Sequence, residues 1–374
     1  MRIRLVLAGV AAGALLAACF APADDPAQSG AQSGAQPGAR PAAPPADPGF
    51  SVVATGDVLI HPELTGQATA DGGGRRDYRP LLAGIRDTVS AADLAICHLE
   101  TPLAPAAGPF RGYPEFSAPP EIAGALAATG YDDCSTASNH TLDQGGDGVN
   151  RTLDDLDQAG VRHTGSARTP QEARTPLVLD VHGVKVGHVS YTFGFNGKQP
   201  PTEWVSNPLD ANAVLAGARA ARAAGAQVVI ASLHWGTEYQ HEPTADQQRI
   251  AQRVLADPAV DLIIGHHAHV VQPIEKISGK WVAYGLGNSI ARHSEPHGDT
   301  EEGLIGRFHF TRTGRGWTVD RAEYVPTVID LGPPIRLRTA GDPALNPARA
   351  AQALARTDEV VLSRGAAAQG LTRG

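Results

Sequence analysis

Three things are scarce in this 374-residue chain, and each scarcity excludes a class of protein. Basic residues are outnumbered: 31 Lys and Arg stand against 39 Asp and Glu, a formal net charge of -8. A nucleic-acid partner calls for a basic face, so no nucleic acid is expected. Small anionic substrates stay open, because a bound cation can carry the local positive charge. Cysteine is limited to Cys19, Cys97 and Cys134. None is placed as a metal ligand, which argues against a structural zinc site. Long apolar runs are also missing. The N-terminal one, residues 5–14, is shorter than the ~20 residues a membrane-spanning helix needs.

That stretch reads instead as a targeting segment. Arg2 and Arg4 form a positive n-region, residues 5–14 the apolar region, and Leu16-Ala17-Ala18-Cys19 a bacterial lipobox. Cleavage before Cys19 frees a thiol for lipid attachment. It also removes two of the 31 basic residues and takes the net charge from -8 to -10. The expected location is extracytoplasmic, lipid-anchored to the outer face of the bacterial cell membrane. Residues 20–49 carry the series AQSG, AQSG, AQPG and then a Pro/Ala-rich stretch. This composition cannot bury a core and predicts a disordered tether, on the order of 30 Å in reach. Cys97 and Cys134 each sit in a predicted strand just before a polar motif. An exported protein leaves both a disulfide and two buried thiols open.

From residue 50 onward, apolar runs alternate with helical spacing. Strands are predicted near 50–54, 94–97, 131–136, 228–233 and 261–264, and hairpins over 177–191 and 274–286. Helices are predicted over 78–92, 119–129, 149–158, 210–224 and 244–256, the 210–224 helix opening on an Asp cap and closing at Gly225. Strands near 303–311 and 318–325 close a domain spanning 50–332. The tail, 333–374, carries one plausible helix near 347–355 and is expected to pack loosely or fray. The alternation predicts an α/β class. The inserted hairpins point to mixed sheets rather than a pure parallel sheet.

The run Asp261-Leu-Ile-Ile-Gly-His-His-Ala-His269 is the most informative stretch. A buried-type strand ends at Gly265, read as a sharp turn, and delivers His266, His267 and His269 beyond the sheet edge. Imidazole is the commonest neutral side-chain metal ligand. Asp57, Glu100, Asn139-His140 and His234 occupy the same position, directly after a strand. The carboxyl ends of strands gather along one rim of an α/β sheet, where ligands bind. The donor set of carboxylates, an amide oxygen and imidazoles suits a divalent ion of the Mg, Mn, Fe or Zn kind. Its size fits two ions sharing a carboxylate. His61, His163, His182, His188, His241, His293, His297 and His309 lack this context, and all but His61 read as solvated or hydrogen-bonded histidines. Trp235 and Tyr239 read as pocket walls, Glu238 as a partner for a ligating His. Gly285-Leu286-Gly287-Asn288 lacks the Lys-Ser/Thr of a phosphate loop and reads as a tight turn under the site.

The motifs Gly56-Asp57-Val58, His98-Leu99-Glu100, Ser138-Asn139-His140-x-x-Asp143-x-Gly145, His234-Trp235-Gly236-x-Glu238-Tyr239, Gly265-His266-His267-Ala268-His269 and Gly287-Asn288-Ser289 resemble the CapA family of capsule and poly-γ-glutamate synthesis proteins. The resemblance covers roughly residues 50–330. It implies a metallophosphatase-like sandwich of two mixed β-sheets flanked by helices. It further implies metal ligands at Asp57, Glu100, Asn139, His234, His267 and His269, with Glu100 bridging. His61, His98, Glu238 and His266 are possible additions, and His140 with Asp143 takes a catalytic role. The chain departs from the pattern at Leu59, where phosphoesterases carry His, leaving His61 as the replacement. It departs again at His98 and Ser138, where the family has Asn, and at Ala268, where it has Pro. The resemblance leaves two functions open. One is a metal-dependent hydrolase of phosphoester or polymer bonds. The other is an accessory module that binds an anionic envelope polymer beside membrane-embedded synthesis partners.

The anchor is testable on its own. Cys19→Ala, expressed in a bacterial host, is expected to move the protein out of the membrane fraction. A variant that stays there as firmly as the parent refutes lipidation.

Overall fold

The computed structural model describes residues 49–293 and 297–374. Cys19, the signal segment and the repeats of the linker lie outside the described residues. The element order is β1 (Phe50–Val58), α1 (Pro62–Asp71), α2 (Arg79–Leu82), α3 (Arg86–Ser90), β2 (Leu94–Leu99), α4 (Glu121–Thr129), β3 (Asp133–Ser135), α5 (Gly145–Ala159), β4 (Arg162–Thr164) and α6 (Pro170–Ala173). Next come β5 (Leu177–Val181), β6 (Val184–Thr192), α7 (Ala211–Ala223), β7 (Val228–His234), α8 (Ala245–Leu255), β8 (Leu262–His266), β9 (Ile274–Ile277) and β10 (Lys280–Ala283). The chain ends with β11 (Asn288–Ile290), β12 (Glu302–Thr313), β13 (Gly316–Asp330), β14 (Arg336–Thr339), α9 (Pro347–Leu362) and β15 (Leu371–Arg373). Among the described residues, no helix is long and apolar enough to cross a membrane.

Two mixed sheets form. One runs β14-β13-β12-β1-β2-β3-β4, with β11 on β1 and β15 on β13; the other runs β5-β6-β7-β8-β10-β9. Each has a parallel centre, β1-β2-β3-β4 in the first and β6-β7-β8-β10 in the second, flanked by antiparallel strands. The period-2 alternation of side chains sorts the core into layers. Val52 and Ala54 of β1 pack between the sheets with Ile230 and Ile264, whereas Val53 faces the helical layer with Leu81 and Leu126. On the far side, Val229 and Ile263 pack against Val214 of α7 and Val254 of α8. The result is helices, sheet, sheet, helices, the α/β sandwich of mixed sheets that the sequence predicts. The helix starts obey local chemistry: Asp210 caps α7, and Thr244 with Gln247 forms a capping box on α8. Between the layers, Asp133 of β3 is hydrogen-bonded to His188 of β6, whose Nε2 lies 2.8 Å from Ser232 Oγ of β7. All three are buried.

Three expectations need correction. The helix over 78–92 is broken into α2 and α3 at residues 83–85. Gly84 bridges to Arg338 there, and a Cβ on it would lie 2.4 Å from Leu337 O, so the crossing strand occupies the space a continuous helix would need. The tail does not fray. β14 pairs antiparallel with β13, β15 pairs parallel with it, and α9 buries Ala353, Thr357 and Val361. Arg349 and Arg356 of α9 clamp the buried carboxylate of Glu302, and Tyr324 Oη donates to Asp358 Oδ1 at 2.7 Å. Gly265 lies within β8 rather than at a turn. It must be glycine because a Cβ would meet Tyr284 O at 1.9 Å.

Ending the chain at residue 332 removes Leu337, Val361 and Leu371 from the core. At roughly 1.5–3 kcal/mol per buried apolar side chain and about 2–4 °C per kcal/mol, thermal unfolding should shift down by on the order of 10 °C or more. An unchanged transition in the truncated chain would restore the loose tail.

Candidate metal centre

The parallel strands of both sheets end at one place. Asp57 pairs in register with His98 at the end of β1 and β2, and His234 with His266 at the end of β7 and β8. Glu100 comes directly after β2, and the 136–144 loop after β3 carries Asn139, His140 and Asp143. After β8 the backbone takes positive φ at His267 (92°) and again at His269 (56°). Non-glycine residues rarely hold this region, and such strain concentrates at functional sites. The His267 N–H donates to Asp57 Oδ2 at 3.1 Å, which helps hold the turn.

The side chains fall into two groups that share one carboxylate. Asp57, His98, Glu100 and His234 offer ligand atoms within 4.8 Å of one another, and so do Glu100, His267 and His269. All are buried. Glu100 Oε1 lies 3.9 Å from His234 Nε2 and 3.8 Å from His269 Nε2, too far to bond. Among the described residues, both Glu100 oxygens are buried without a hydrogen-bond partner, as are His266 Nε2 and His267 Nδ1. An orphaned buried carboxylate ringed by imidazoles has the donor chemistry of a divalent-cation site.

The electrostatics arise from burial. Burial pushes the Glu100 carboxyl well above its ordinary range; His269 opposes the rise and Asp57 adds to it. Asp57 goes the other way. Burial works against its charge, but hydrogen bonds from His266 and His269 outweigh it and hold Asp57 well below the usual carboxylate range. Burial lowers His267 to about 3, with the His269 charge assisting. His98 and His234 are likewise pushed well down, by burial and neighbouring imidazoles. His269 is raised to about 9, because Glu100 and Asp57 overcome its burial.

Asn139 Nδ2 donates to Asn196 Oδ1 at 3.2 Å, which turns its own Oδ1 toward His234 Nε2, 2.9 Å away. His140 Nδ1–H donates to Asp143 Oδ2 at 2.7 Å, and the Phe116 N–H donates to the same oxygen at 2.8 Å. This leaves His140 Nε2 as the free nitrogen. His140 and His269 line a cleft of about 400 Å³ together with His61, Glu63, Tyr113, Glu238, Tyr239, Arg292 and His293.

The structure thus gathers Asp57, Glu100, Asn139, His234, His267, His269 and His98, with His140 and Asp143 beside them. His266 bonds Asp57 Oδ1 through Nδ1 at 3.2 Å and stays outside both groups. His61, the expected replacement for the missing imidazole, lies outside both groups, in the cleft lining. Its Nδ1 lies 3.0 Å from Leu59 O and 3.1 Å from Arg292 N, and its ring packs on Phe116 and His293. Glu238 is exposed on the cleft wall. Trp235 is a core residue whose Nε1–H donates to Tyr284 O at 2.9 Å, whereas Tyr239 is a half-exposed wall. Sequence reasoning missed Asn288, whose Oδ1 lies 3.1 Å from His269 Nδ1, and Arg292 and His293 in the cleft. The Gly287-Asn288-Ser289 motif was the available signal for Asn288. Gly287 does turn beneath the site, its carbonyl accepting the Asp57 N–H at 2.9 Å.

The model of a family described as "Bacterial capsule synthesis protein PGA_cap" matches residues 51–293. The chain belongs to that family. It is 25% identical to the capsule biosynthesis protein CapA of Bacillus anthracis over 231 residues, 60% of this chain and 54% of that one. It is 28% identical to the PGA biosynthesis protein CapA of Bacillus subtilis over 206 residues, 54% of this chain and 51% of that one. The matches thus span about half the length of these relatives. A probable polyglutamine synthesis accessory protein of Mycobacterium tuberculosis is 27% identical over 272 residues, 69% of this chain and 68% of that one. Among solved structures, the chain is similar to the calcineurin-like phosphoesterase YfkN of Bacillus subtilis, with a TM-score of 0.43 and 15% identity over 83% of this chain and 98% of that one.

Without a cation, His269 keeps its proton up to a pKa of about 9. A divalent ion must displace that proton. Ion uptake at pH 7–8 is therefore expected to release protons, and affinity to rise with pH toward about 9. Titration calorimetry in buffers of different ionisation enthalpy measures the release; buffer-independent heats would refute it.

Proposed function

We propose that this protein is a divalent-metal-dependent hydrolase of the phosphoester-cleaving type. It works in capsule or poly-γ-glutamate synthesis or processing, tethered by lipid on Cys19 to the outer face of the cell membrane beside membrane-embedded synthesis partners. The observation that carries this reading is the buried, partnerless carboxylate of Glu100, shared by two ligand groups. Asp57, Glu100, Asn139 and His234 would hold one ion, and Glu100, His267 and His269 the other, with Mn, Zn, Fe and Mg all compatible with the donor set. Such ions supply Lewis-acid polarisation and a water that ionises near neutrality.

The chain's own residues supply the rest. Asp143 fixes the His140 ring and hydrogen through Nδ1, so Nε2 faces its task in one orientation. In its imidazolium form His140 carries a second hydrogen on Nε2, and from the cleft lining it is placed to give that proton to the leaving oxygen. Arg292, which has no carboxylate partner among the described residues, offers the cleft a cationic fork for an anionic group of the substrate. The accessory reading has one support of its own: the mycobacterial relative is named an accessory protein. An anionic polymer would then be bound, not cut.

Two variants separate the readings. Glu100→Ala is expected to lower the metal content of purified protein. His140→Ala is expected to keep its metal and lose roughly 10²–10⁴-fold in turnover on phosphodiesters or polyglutamate, as for a lost general acid. Wild-type protein that stays metal-free after exposure to Mn, Zn, Fe and Mg would eliminate the site. Full activity in a metal-loaded His140→Ala protein would favour the accessory module.

A further inference from the structure

We propose that His98 is a positioning residue. It holds the His234 ring, imidazole to imidazole, in the orientation that leaves His234 Nε2 available to a divalent ion. The inference rests on the reading of this site as a metal centre. It goes beyond that reading because His98 itself lies close enough to be counted among the ligand atoms.

Both nitrogens of His98 are already engaged. Nδ1 lies 2.8 Å from Ser135 Oγ and Nε2 lies 2.9 Å from His234 Nδ1. The ring is fully buried and stacks on His266 at 4.1 Å, 16° from parallel. If His98 gave Nε2 to an ion, His234 Nδ1 would lose the hydrogen bond that orients it inside a dry site, where an unmet polar atom is costly. If His234 gives Nε2 instead, no bond behind it has to break. Metal-ligating histidines characteristically have the second nitrogen held by a neighbour, and here that neighbour is another histidine.

The hydrogens can be traced along this string. Asn139 Oδ1 can only accept, so His234 carries its hydrogen on Nε2 in the ion-free arrangement and accepts at Nδ1 from His98 Nε2–H. His98 Nδ1 then accepts from the Ser135 hydroxyl. For His234 Nε2 to act as a ligand, its hydrogen must sit on Nδ1 and be donated to His98 Nε2. His98 in turn carries its hydrogen on Nδ1 and donates to Ser135 Oγ. The Ser135 hydroxyl has a second acceptor waiting, Cys97 O at 3.3 Å. Each imidazole keeps one hydrogen in both arrangements, and the bonds behind His234, to His98 and on to Ser135, stay intact; only the Nε2–H bond to Asn139 gives way to the ion. Its far end is anchored by the backbone, because His98 and Ser135 are directly paired residues of β2 and β3.

The test is a Co(II) titration of the full mature chain, monitored by visible absorption, for wild type, His98→Asn and His98→Leu. Thermal unfolding of the metal-free proteins controls for folding. His98→Leu is expected to bind Co(II) roughly 10–100-fold more weakly, and His98→Asn to recover part of the loss. At saturation all three should show the same ligand-field bands. Unchanged affinity in His98→Leu would overturn the proposal, as would altered bands at saturation, which would make His98 a ligand. If His98→Leu does not fold, Ser135→Ala carries the test and must weaken binding with the bands unchanged. A wild-type protein that binds no Co(II) removes the metal-centre reading itself. Wild-type binding with an indifferent His98→Leu removes only this inference.

Discussion

A carboxylate taken out of water without a hydrogen bond costs several kcal/mol, and Glu100 is buried on those terms. The surroundings do not relieve it. The two nearest imidazole nitrogens stand 3.8 and 3.9 Å away, and Asp57 adds a second negative charge to the same pocket. Left-handed backbone at His267 and His269 adds strain. Each feature is unfavourable for a site meant to stay empty; around a cation the converging carboxylates and imidazoles would become favourable and could offset the backbone strain.

The fold creates this conflict by convergence. Alternating side chains glue two sheets face to face, and each sheet has a parallel centre. Parallel strands all release their chains at the same edge, so the residues just past each strand arrive at one rim. Asp57 and Glu100 come from one sheet, His234, His267 and His269 from the other. The site therefore straddles the sandwich, and its geometry depends on how the two sheets stack. Asp133 and His188, bonded across the layers a few residues from Ser135 and Thr192, help set that stacking.

Much of this was legible because it is local. Apolar runs ending in Asp57, Glu100, His234 and His266 announce strand ends, and Asp210 and Thr244 announce helix starts. The failures share a different cause. The helix over 78–92 has good spacing but is interrupted where β14 crosses Gly84, and β14 belongs to the tail that was expected to fray. One long-range contact accounts for both errors, and nothing within either segment reports it. The helix face Ala353, Thr357, Val361 was visible in the tail, but not the clamp of Arg349 and Arg356 on Glu302. His293 was missed for the same kind of reason. It is not part of a strand-end motif and reaches the cleft only because β11 runs parallel beside β1.

The cleft constrains both functional readings in the same direction. Glu63 and Glu238 stand on its walls with Arg292 and the His269 cation, and behind His269 lie the carboxylates of Asp57, 3.2 Å from its Nδ1, and Glu100, 3.8 Å from its Nε2. With no ion bound, this field does not favour a phosphoester and still less a polyanion. Two divalent ions at the base would add four positive charges where the carboxylates converge and invert the local field. Under either proposed function, anion recognition in this cleft would be conditional on the metal, whether a bound chain were cut or only held. The distinction between enzyme and accessory module then narrows to His140 and Asp143. Their bond does nothing for charge balance at the ligands, but it leaves one imidazole nitrogen at the cleft in a defined orientation. A module that only binds has no use for that nitrogen, and a hydrolase does.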